Sequence, residues 1–231
     1  MIETQKIYLE DGYKKRLSVT ILQIVPYKKM VGVITDKTIF YPEGGGPPGD
    51  RGTLGGLTVV DTQYNKNREI LHIVSKDCAL EVGKQYELVL DWAHRYHYMK
   101  EHTCQHLISG ILYKSFSIDT VSVHLGEKNI SIETQESAIH PKTIEAIEDE
   151  VNKALLHPSR VTSKVLPDEE LSSLELRRAP KVSNNIRIVT IEGYDEIACG
   201  GVHLNAISEI GSVLFQSSES IRGHVRLFFA L

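Results

Sequence analysis

Residues 91–116 read DWAHRYHYMKEHTCQHLISGILYKSF, a long stretch that contains no proline. Its second half carries apolar residues at helical intervals, namely Leu107, Ile108, Ile111, Leu112 and Phe116. Asp91, directly before the stretch, is a suitable N-cap residue because its carboxylate can accept hydrogen bonds from free backbone N–H groups. The stretch predicts one long helix, and it divides the chain into two parts of different sequence character.

The part before this helix has the pattern of a β protein. β-branched and aromatic residues recur in short runs separated by turn residues, at 16–25, 31–41, 57–64, 69–74 and 86–92. Short strands at this spacing favour a sheet that closes on itself. We therefore predict a small β-barrel domain over residues 1–90.

The part after the boundary mixes helix and strand patterns. A helix is predicted from Pro141, with Ile144, Ile147, Val151 and Leu155 on one face, and another from Pro167. Strand patterns follow the helices at 120–125, 129–133, 186–193 and 223–229. The predicted fold class is α+β: an N-terminal small β-barrel, then a domain over residues 91–231 whose helices pack on a mainly antiparallel sheet.

Composition limits the classes of function. The net charge is −4, whereas proteins that hold nucleic acid by bulk electrostatics carry a basic excess, so any RNA contact must be local. The N-terminus lacks a secretory signal and no stretch has the length and apolarity of a membrane span, so no membrane association is expected. Three cysteines are an odd number for a disulfide framework, which favours a cytoplasmic location. The oligomeric state is unknown from sequence.

Two residue pairs with equal spacing indicate a metal site. His102 and His106 are four residues apart inside the predicted helix, so both imidazoles project from one face. Cys199 and His203 repeat this spacing in ACGGVH. One thiolate and three imidazoles suit Zn²⁺, and a single cysteine is more typical of catalytic than of structural zinc. Thr103 stands where HExxH peptidases carry glutamate, which disfavours peptidase chemistry.

The same segments carry a family resemblance. HTCQH at 102–106, followed by CGGVH at 199–203, resembles the zinc motif pair of alanyl-tRNA synthetase editing domains and their free-standing AlaX-type relatives. FYPEGGGPPGDRGTL at 40–54 resembles the glycine-rich motif of the longer members. Two positions depart from the family pattern: Val202 stands where threonine is common, and Pro47 where glutamine is frequent. Neither departure removes a metal ligand.

The resemblance implies roles that the residues alone leave open. By itself, the glycine segment is typical of a turn-rich loop, but the family implies contact with RNA. The residues to which this contact is assigned are Gly44, Gly45, Gly46, Gly49 and Asp50. The strand that contains Thr120, Ser122 and His124 is a candidate wall of the substrate pocket, although solvent-facing strand residues would give the same alternation. No catalytic acid or base is assigned.

The implied activity is deacylation of mischarged tRNA(Ala), chiefly Ser-tRNA(Ala), by zinc-dependent hydrolysis of the ester. A pocket for alanine cannot strongly reject serine, so a second, hydrolytic site is needed for translation fidelity. Two alternatives remain. One is a zinc-stabilised RNA-binding module without catalysis, and the other is a metallohydrolase of small molecules.

Overall fold

The computed structural model describes residues 3–77, 79–171, 174–180 and 184–231. The proline-free stretch forms helix α2, Trp92–Phe116, and Asp91 caps it by accepting a 3.2 Å hydrogen bond from the backbone N–H of His94. The other helices in these ranges are α1 Ile7–Glu10, α3 Pro141–Leu155 and α4 Asp168–Leu171. Of the helix predicted from Pro167, the described residues include one turn. None of the described helices is both long and apolar enough to cross a membrane.

Sixteen strands and a short 3₁₀ helix, Ile207–Glu209, complete the secondary structure of the described ranges. The first nine are β1 Gln5–Lys6, β2 Arg16–Tyr27, β3 Met30–Thr35, β4 Lys37–Thr38, β5 Gly52–Leu54, β6 Leu57–Val59, β7 Asp61–Tyr64, β8 Ile70–Val74 and β9 Gln85–Leu90. The others are β10 Thr120–Leu125, β11 Ile130–Thr134, β12 Val161–Leu166, β13 Ile186–Ile191, β14 Asp195–Ala198, β15 Leu214–Ile221 and β16 His224–Ala230. The chain forms two compact units, the barrel unit Met1–Tyr98 and the C-terminal unit Met99–Leu231.

The barrel unit is built on one long, bent strand. The first part of β2 pairs with β9 and the second part with β3, and the register shifts between Ile21 and Gln23. Because one strand serves both halves, the antiparallel sheet β6-β5-β9-β2-β3-β8-β7 rolls up. Its ends approach one another where the N–H of Val60 donates to the carbonyl of Ile73 at 3.0 Å. This nearly closed sheet is the predicted small barrel.

A histidine lies fully buried in the barrel unit. His72 of β8 contacts the Val33 carbonyl through Nδ1 at 3.0 Å and the Thr38 hydroxyl through Nε2 at 2.7 Å. A carbonyl oxygen can only accept, so Nδ1 carries the proton and Nε2 accepts from Thr38. Burial lowers the pKa of His72 to about 4, against the opposing effect of the hydrogen bond to Val33. The imidazole is therefore held neutral.

This depressed pKa predicts a loss of stability in acid. Between about pH 6.5 and pH 4 the unfolded chain protonates His72 while the folded chain does not, so stability present above pH 6.5 is lost as the pH falls. The loss of stability at pH 4.5 is about 2–3 kcal/mol. Urea unfolding followed by the fluorescence of Trp92, the only tryptophan, measures it. The difference between wild type and His72→Gln should shrink by this amount from pH 7 to pH 4.5, and a constant difference would refute the assignment.

The C-terminal unit is the predicted mixture of helices and antiparallel sheets. It contains a four-stranded sheet, β10-β11-β16-β15, and a three-stranded sheet, β12-β13-β14. Helix α3 buries the apolar face that its sequence predicts, and it lies along β15, where the Asn152 side chain bonds both the N–H and the carbonyl of Val213. The α+β fold class is confirmed.

Candidate metal centre

Helix α2 brings two histidines into the interior of the C-terminal unit. His102 and His106 are one turn apart, with ring centroids 4.9 Å from each other. Every residue from 101 to 112 is buried, and the polar ones among them are Glu101, His102, Thr103, Gln105, His106 and Ser109. Polar groups are costly to bury unless they are hydrogen-bonded, paired or bound to a metal ion. This concentration of buried polar side chains marks the helix as part of a site.

The segment after β14 completes a group of four potential ligands. Cys199 Sγ lies 3.7 Å from His102 Nε2 and 3.4 Å from His203 Nε2. The ring of His203 is 4.2 Å from that of His102 and 4.5 Å from that of His106. All four ligand atoms lie within 4.8 Å of one another. Two ligands of a tetrahedral zinc ion are about 3.5 Å apart, so the sulfur–nitrogen distances match a site that could hold a metal ion.

The two glycines of this segment have different surroundings. A Cβ atom at Gly201 would lie 2.2 Å from Cε1 and 2.6 Å from Nδ1 of His102, whereas one at Gly200 would meet nothing within 4 Å. The backbone N–H of Gly201 also donates to Cys199 Sγ at 3.4 Å. Gly201 is therefore required by close approach to an imidazole, and not only by the tight turn that the sequence indicates.

An arginine from the neighbouring strand fixes the same segment. Nη1 of Arg187, in β13, donates to the carbonyls of Cys199 at 2.8 Å and Gly201 at 2.9 Å. The N–H of Cys199 in turn donates to the Arg187 carbonyl at 3.0 Å. Strand β13 thus holds the backbone on both sides of Gly200, which positions the thiol.

Electrostatics favours a thiolate at Cys199 and a neutral imidazole at His203, whereas His106 has to lose a proton before it binds a metal ion. Burial would raise the pKa of the Cys199 thiol, but the charges of His102, His106 and His203 hold it well below its ordinary value. Burial, together with the neighbouring imidazoles, lowers the pKa of His203 to about 3. Burial alone would also lower the pKa of His106, but Cys199 and Asp195 outweigh it and raise the value to about 9. A thiolate and neutral imidazoles are the forms that bind metal ions.

The four residues fit a borderline-soft divalent ion. One thiolate and three imidazoles form a donor set of that class, and all four side chains converge inside the protein. Nδ1 of His102 is buried and has no hydrogen-bond partner within the described ranges, while its Nε2 faces the sulfur. Without an ion, the buried imidazole nitrogens around the thiolate would lack some of the polar partners that buried polar groups need.

Comparisons with known proteins point to one family. The family model described as the threonyl and alanyl tRNA synthetase second additional domain matches residues 186–227, which include Cys199 and His203. The alanyl-tRNA editing protein AlaX-M of Pyrococcus horikoshii is 30% identical over 226 residues, which cover 97% of this chain and 96% of that protein. The chain belongs to the alanyl-tRNA editing protein family.

Longer members of the family match as well. AlaX-L of Pyrococcus horikoshii is 36% identical over 218 residues, which cover 90% of this chain but 53% of that protein. The chain likewise spans about half the length of the rat editing protein Aarsd1, to which it is 29% identical. AlaX-M of Saccharolobus solfataricus is 28% identical and is matched over 99% of both chains.

In this AlaX-type chain, the three candidate pocket residues do not share one face of β10. Thr120 is buried, and its hydroxyl donates to Ser109 Oγ at 3.1 Å, whereas Ser122 is exposed and bonds Glu133. His124 is also exposed. The register of β10 against β11 shifts between Thr120 and Ser122, which breaks the alternation that the sequence predicts. Their pocket role stays a prediction.

Sequence reasoning missed two polar residues that accompany Thr120. Gln105 Nε2 donates to Ser109 Oγ at 2.9 Å, so Gln105, Ser109 and Thr120 form a buried polar row. Gln105 directly precedes His106 on α2, and Ser109 follows one turn later. Their spacing of four residues in a helix otherwise rich in apolar residues was the available signal.

The glycine-rich motif of this chain has an exposed tip and a buried base. Gly45 and Gly46 are exposed and have φ angles of 65° and 127°, which favour glycine. Gly49 is pressed against β7, because a Cβ there would lie 2.2 Å from the Thr62 carbonyl. Asp50 is buried, and its carboxylate accepts hydrogen bonds from the Tyr41 N–H and from Arg95. The assignment of RNA contact to these residues stays a prediction.

Proposed function

We propose that this chain is a trans-editing hydrolase that deacylates mischarged tRNA(Ala), chiefly Ser-tRNA(Ala), and uses a zinc ion held by His102, His106, Cys199 and His203. The observation that carries the proposal is the convergence of these four side chains within 4.8 Å in a chain of this family. The names of the relatives describe alanyl-tRNA editing, which supports an aminoacyl-tRNA ester as substrate.

Zinc suits the site better than other ions because of its ligands. A thiolate disfavours Mg²⁺ and Ca²⁺, which take oxygen ligands, and three imidazoles with one sulfur are common around Zn²⁺. When bound, zinc supplies positive charge that can polarise an ester carbonyl, acidify a water molecule or orient the substrate. Elemental analysis after gentle purification should find about one zinc per chain.

The residues around the ligands would provide selectivity for serine. Serine differs from alanine by one hydroxyl, and the smaller side chain fits wherever the larger one does, so selectivity requires a polar contact. Gln105, Ser109 and Thr120 are buried, and the first two lie on α2 close in sequence to His106. The side chains of Gln105 and Thr120 both donate hydrogen bonds to Ser109 Oγ. We place the contact to the serine hydroxyl on this row, and Ser122 and His124 remain further candidates on the same strand.

The barrel unit would place the RNA. Gly45 and Gly46 present bare backbone at the exposed tip, where amide groups can contact phosphate or ribose oxygens, and the half-buried Gly44 precedes them. Gly49 and Asp50 belong to the packed base, so they would act by holding the tip in shape. Such a local contact is compatible with a net charge of −4, since it does not depend on a basic surface.

One experiment separates this proposal from the two alternatives. The zinc-loaded protein is incubated with Ser-tRNA(Ala) and, separately, with serine methyl ester, and release of serine is followed over time. The proposal expects rapid deacylation of the tRNA and little cleavage of the simple ester. Binding of the charged tRNA without hydrolysis would favour the RNA-binding module. Equal cleavage of both esters would favour a small-molecule hydrolase.

A further inference from the structure

We propose that Asp195, held by Arg177, and Thr103 are positioning residues that fix which ring nitrogen His106 and His203 present to the metal ion. The inference rests on the proposed metal site, but it concerns residues outside the ligand set. Nδ1 of His106 lies next to Asp195, and Nδ1 of His203 lies next to Thr103.

The first contact joins a ligand to a buried ion pair. Asp195 Oδ2 lies 3.3 Å from His106 Nδ1, and both side chains are almost fully buried. The same carboxylate receives Arg177 Nε at 2.8 Å and Nη2 at 3.2 Å. A buried carboxylate needs such a partner to stay ionised, so Arg177 keeps it an acceptor. His106 Nδ1 and Asp195 Oδ2 are close enough for an electrostatic contact, although they do not form a hydrogen bond in this structure. When Nε2 of His106 binds the ion, the proton of the neutral ring must lie on Nδ1, where it faces the Asp195 carboxylate.

The fold makes room for this contact with a glycine. Gly110 follows His106 by one helical turn, and a Cβ there would lie 2.5 Å from the Tyr194 carbonyl and 2.9 Å from Cβ of Asp195. Any larger residue would therefore push the β13–β14 turn, and Asp195 with it, away from α2. Glycine destabilises a helix interior, so its presence in the middle of α2 is explained by this close approach. The backbone N–H of Arg177 also bonds the Glu196 carbonyl, which anchors the arginine beside the turn.

The second contact uses the threonine that replaces the glutamate of HExxH helices. Thr103 Oγ1 accepts the N–H of Leu204 at 3.0 Å and lies 3.2 Å from His203 Nδ1. The hydroxyl oxygen can accept a second hydrogen bond. When Nε2 of His203, which lies 3.4 Å from Cys199 Sγ, binds the ion, Nδ1 of the neutral ring carries the proton and can donate it to Thr103 Oγ1. Thr103 thereby ties the backbone next to His203 and its ring to the ligand helix.

The third imidazole is held differently. Nδ1 of His102 has no hydrogen-bond partner among the residues described, and its ring edge lies against Gly201 instead. In this structure a hydrogen bond thus orients His203, an electrostatic contact with Asp195 orients His106, and packing orients His102. Outer partners of this kind strengthen a metal site because they fix the tautomer and the orientation of the imidazole ring before the ion binds.

The test measures the metal and does not depend on tRNA. Zinc affinity is determined by competition with a chelator, and the Co²⁺-loaded protein is examined for its d–d and thiolate-to-cobalt absorption bands. Asp195→Asn and Thr103→Val should each weaken zinc binding about 10- to 100-fold and alter the d–d bands. Thr103→Ser should restore both properties, because it returns the hydroxyl. Glu196→Gln, the neighbouring acid in β14, is the matched control and should behave as wild type.

Wild-type affinity and unchanged cobalt spectra in both Asp195→Asn and Thr103→Val would overturn the proposal. If Asp195→Asn does not fold, as judged by far-ultraviolet circular dichroism, the Thr103 pair decides, since valine and threonine have nearly the same shape. Failure of Thr103→Ser to recover affinity would also count against it. Absence of deacylation by the wild type would refute the proposed function and leave these metal measurements valid.

Discussion

Gly201→Ala is expected to lower zinc affinity by roughly 100-fold or more and to abolish most hydrolysis, although it adds a single methyl group. The new Cβ would lie 2.2 Å from Cε1 of His102, so either the ring or the backbone beside Cys199 must move by more than an ångström. Displacing a ligand outright should cost at least as much as removing an outer partner, which typically costs 10- to 100-fold. Chelator competition gives the affinity, and deacylation of Ser-tRNA(Ala) gives the activity.

Gly200→Ala is the matched control for this prediction. It makes the same chemical change one residue earlier, where a Cβ would meet nothing within 4 Å. It should retain zinc and activity within a few-fold of wild type. If the two variants behave alike, close packing of His102 on Gly201 is not what the site requires, and the arrangement of the ligands described above is wrong.

Removing either member of the Asp50–Arg95 pair is expected to destabilise the barrel unit by about 3–5 kcal/mol. Both side chains are buried, and Arg95 donates through Nε to Asp50 and through Nη1 and Nη2 to the carbonyls of Gly12 and Ile39. Asp50→Asn keeps the size of the side chain but leaves the guanidinium without its counter-ion. Urea unfolding followed by Trp92 fluorescence measures the loss.

Two further variants test whether burial is the cause. The double variant Asp50→Asn, Arg95→Met removes both charges and should recover part of the loss, because no uncompensated buried charge remains. Glu87→Gln breaks the exposed pair between Arg16 and Glu87 and should cost at most about 1 kcal/mol. A small effect of Asp50→Asn, similar to that of Glu87→Gln, would contradict the prediction.

The elements that sequence predicts best are those with strong periodicity. Helix α2 covers the proline-free stretch, and α3 begins at Pro141 and buries the predicted residues. Strand β12 was missed because its residues from Thr162 to Val165 are exposed, so it lacks apolar alternation. The run at 57–64 divides into β6 and β7, because Val60 bonds across to Ile73 where the sheet nearly closes.

The candidate metal-binding residues could be predicted where their spacing along the chain places two side chains close together. The pairs His102–His106 and Cys199–His203 each use one local turn, and the structure brings all four residues together as expected. The contacts of Asp195 with His106 and of Thr103 with His203 could not be recognised from sequence, because they depend on how β14 and Leu204 approach α2. A shift in register separates Thr120 from Ser122, and no residue in this strand indicates that shift in the sequence.

The role of Asp50 shows the limit of a motif. Its place beside the glycines implied contact with RNA, and its carboxylate is engaged by Arg95 and the Tyr41 N–H inside the barrel unit. Arg95 lies 45 residues later, in the first turns of α2, so only the folded chain reveals the pair. A residue in a functional motif can therefore serve the shape of the loop, as the unfolding experiment above is designed to measure.

We propose above that the group formed by His102, His106, Cys199 and His203 serves the selective removal of serine from tRNA(Ala). The most direct test compares deacylation of Ser-tRNA(Ala) and Ala-tRNA(Ala) at equal concentrations of zinc-loaded protein, with zinc-depleted and zinc-restored samples alongside. We predict that the seryl form is hydrolysed much faster, approaching roughly 10⁴-fold in the limit set by one hydrogen-bonded hydroxyl. Zinc removal should abolish the difference, and its return should restore it. Equal rates for the two charged forms, or serine release that persists undiminished without metal, would contradict the claim.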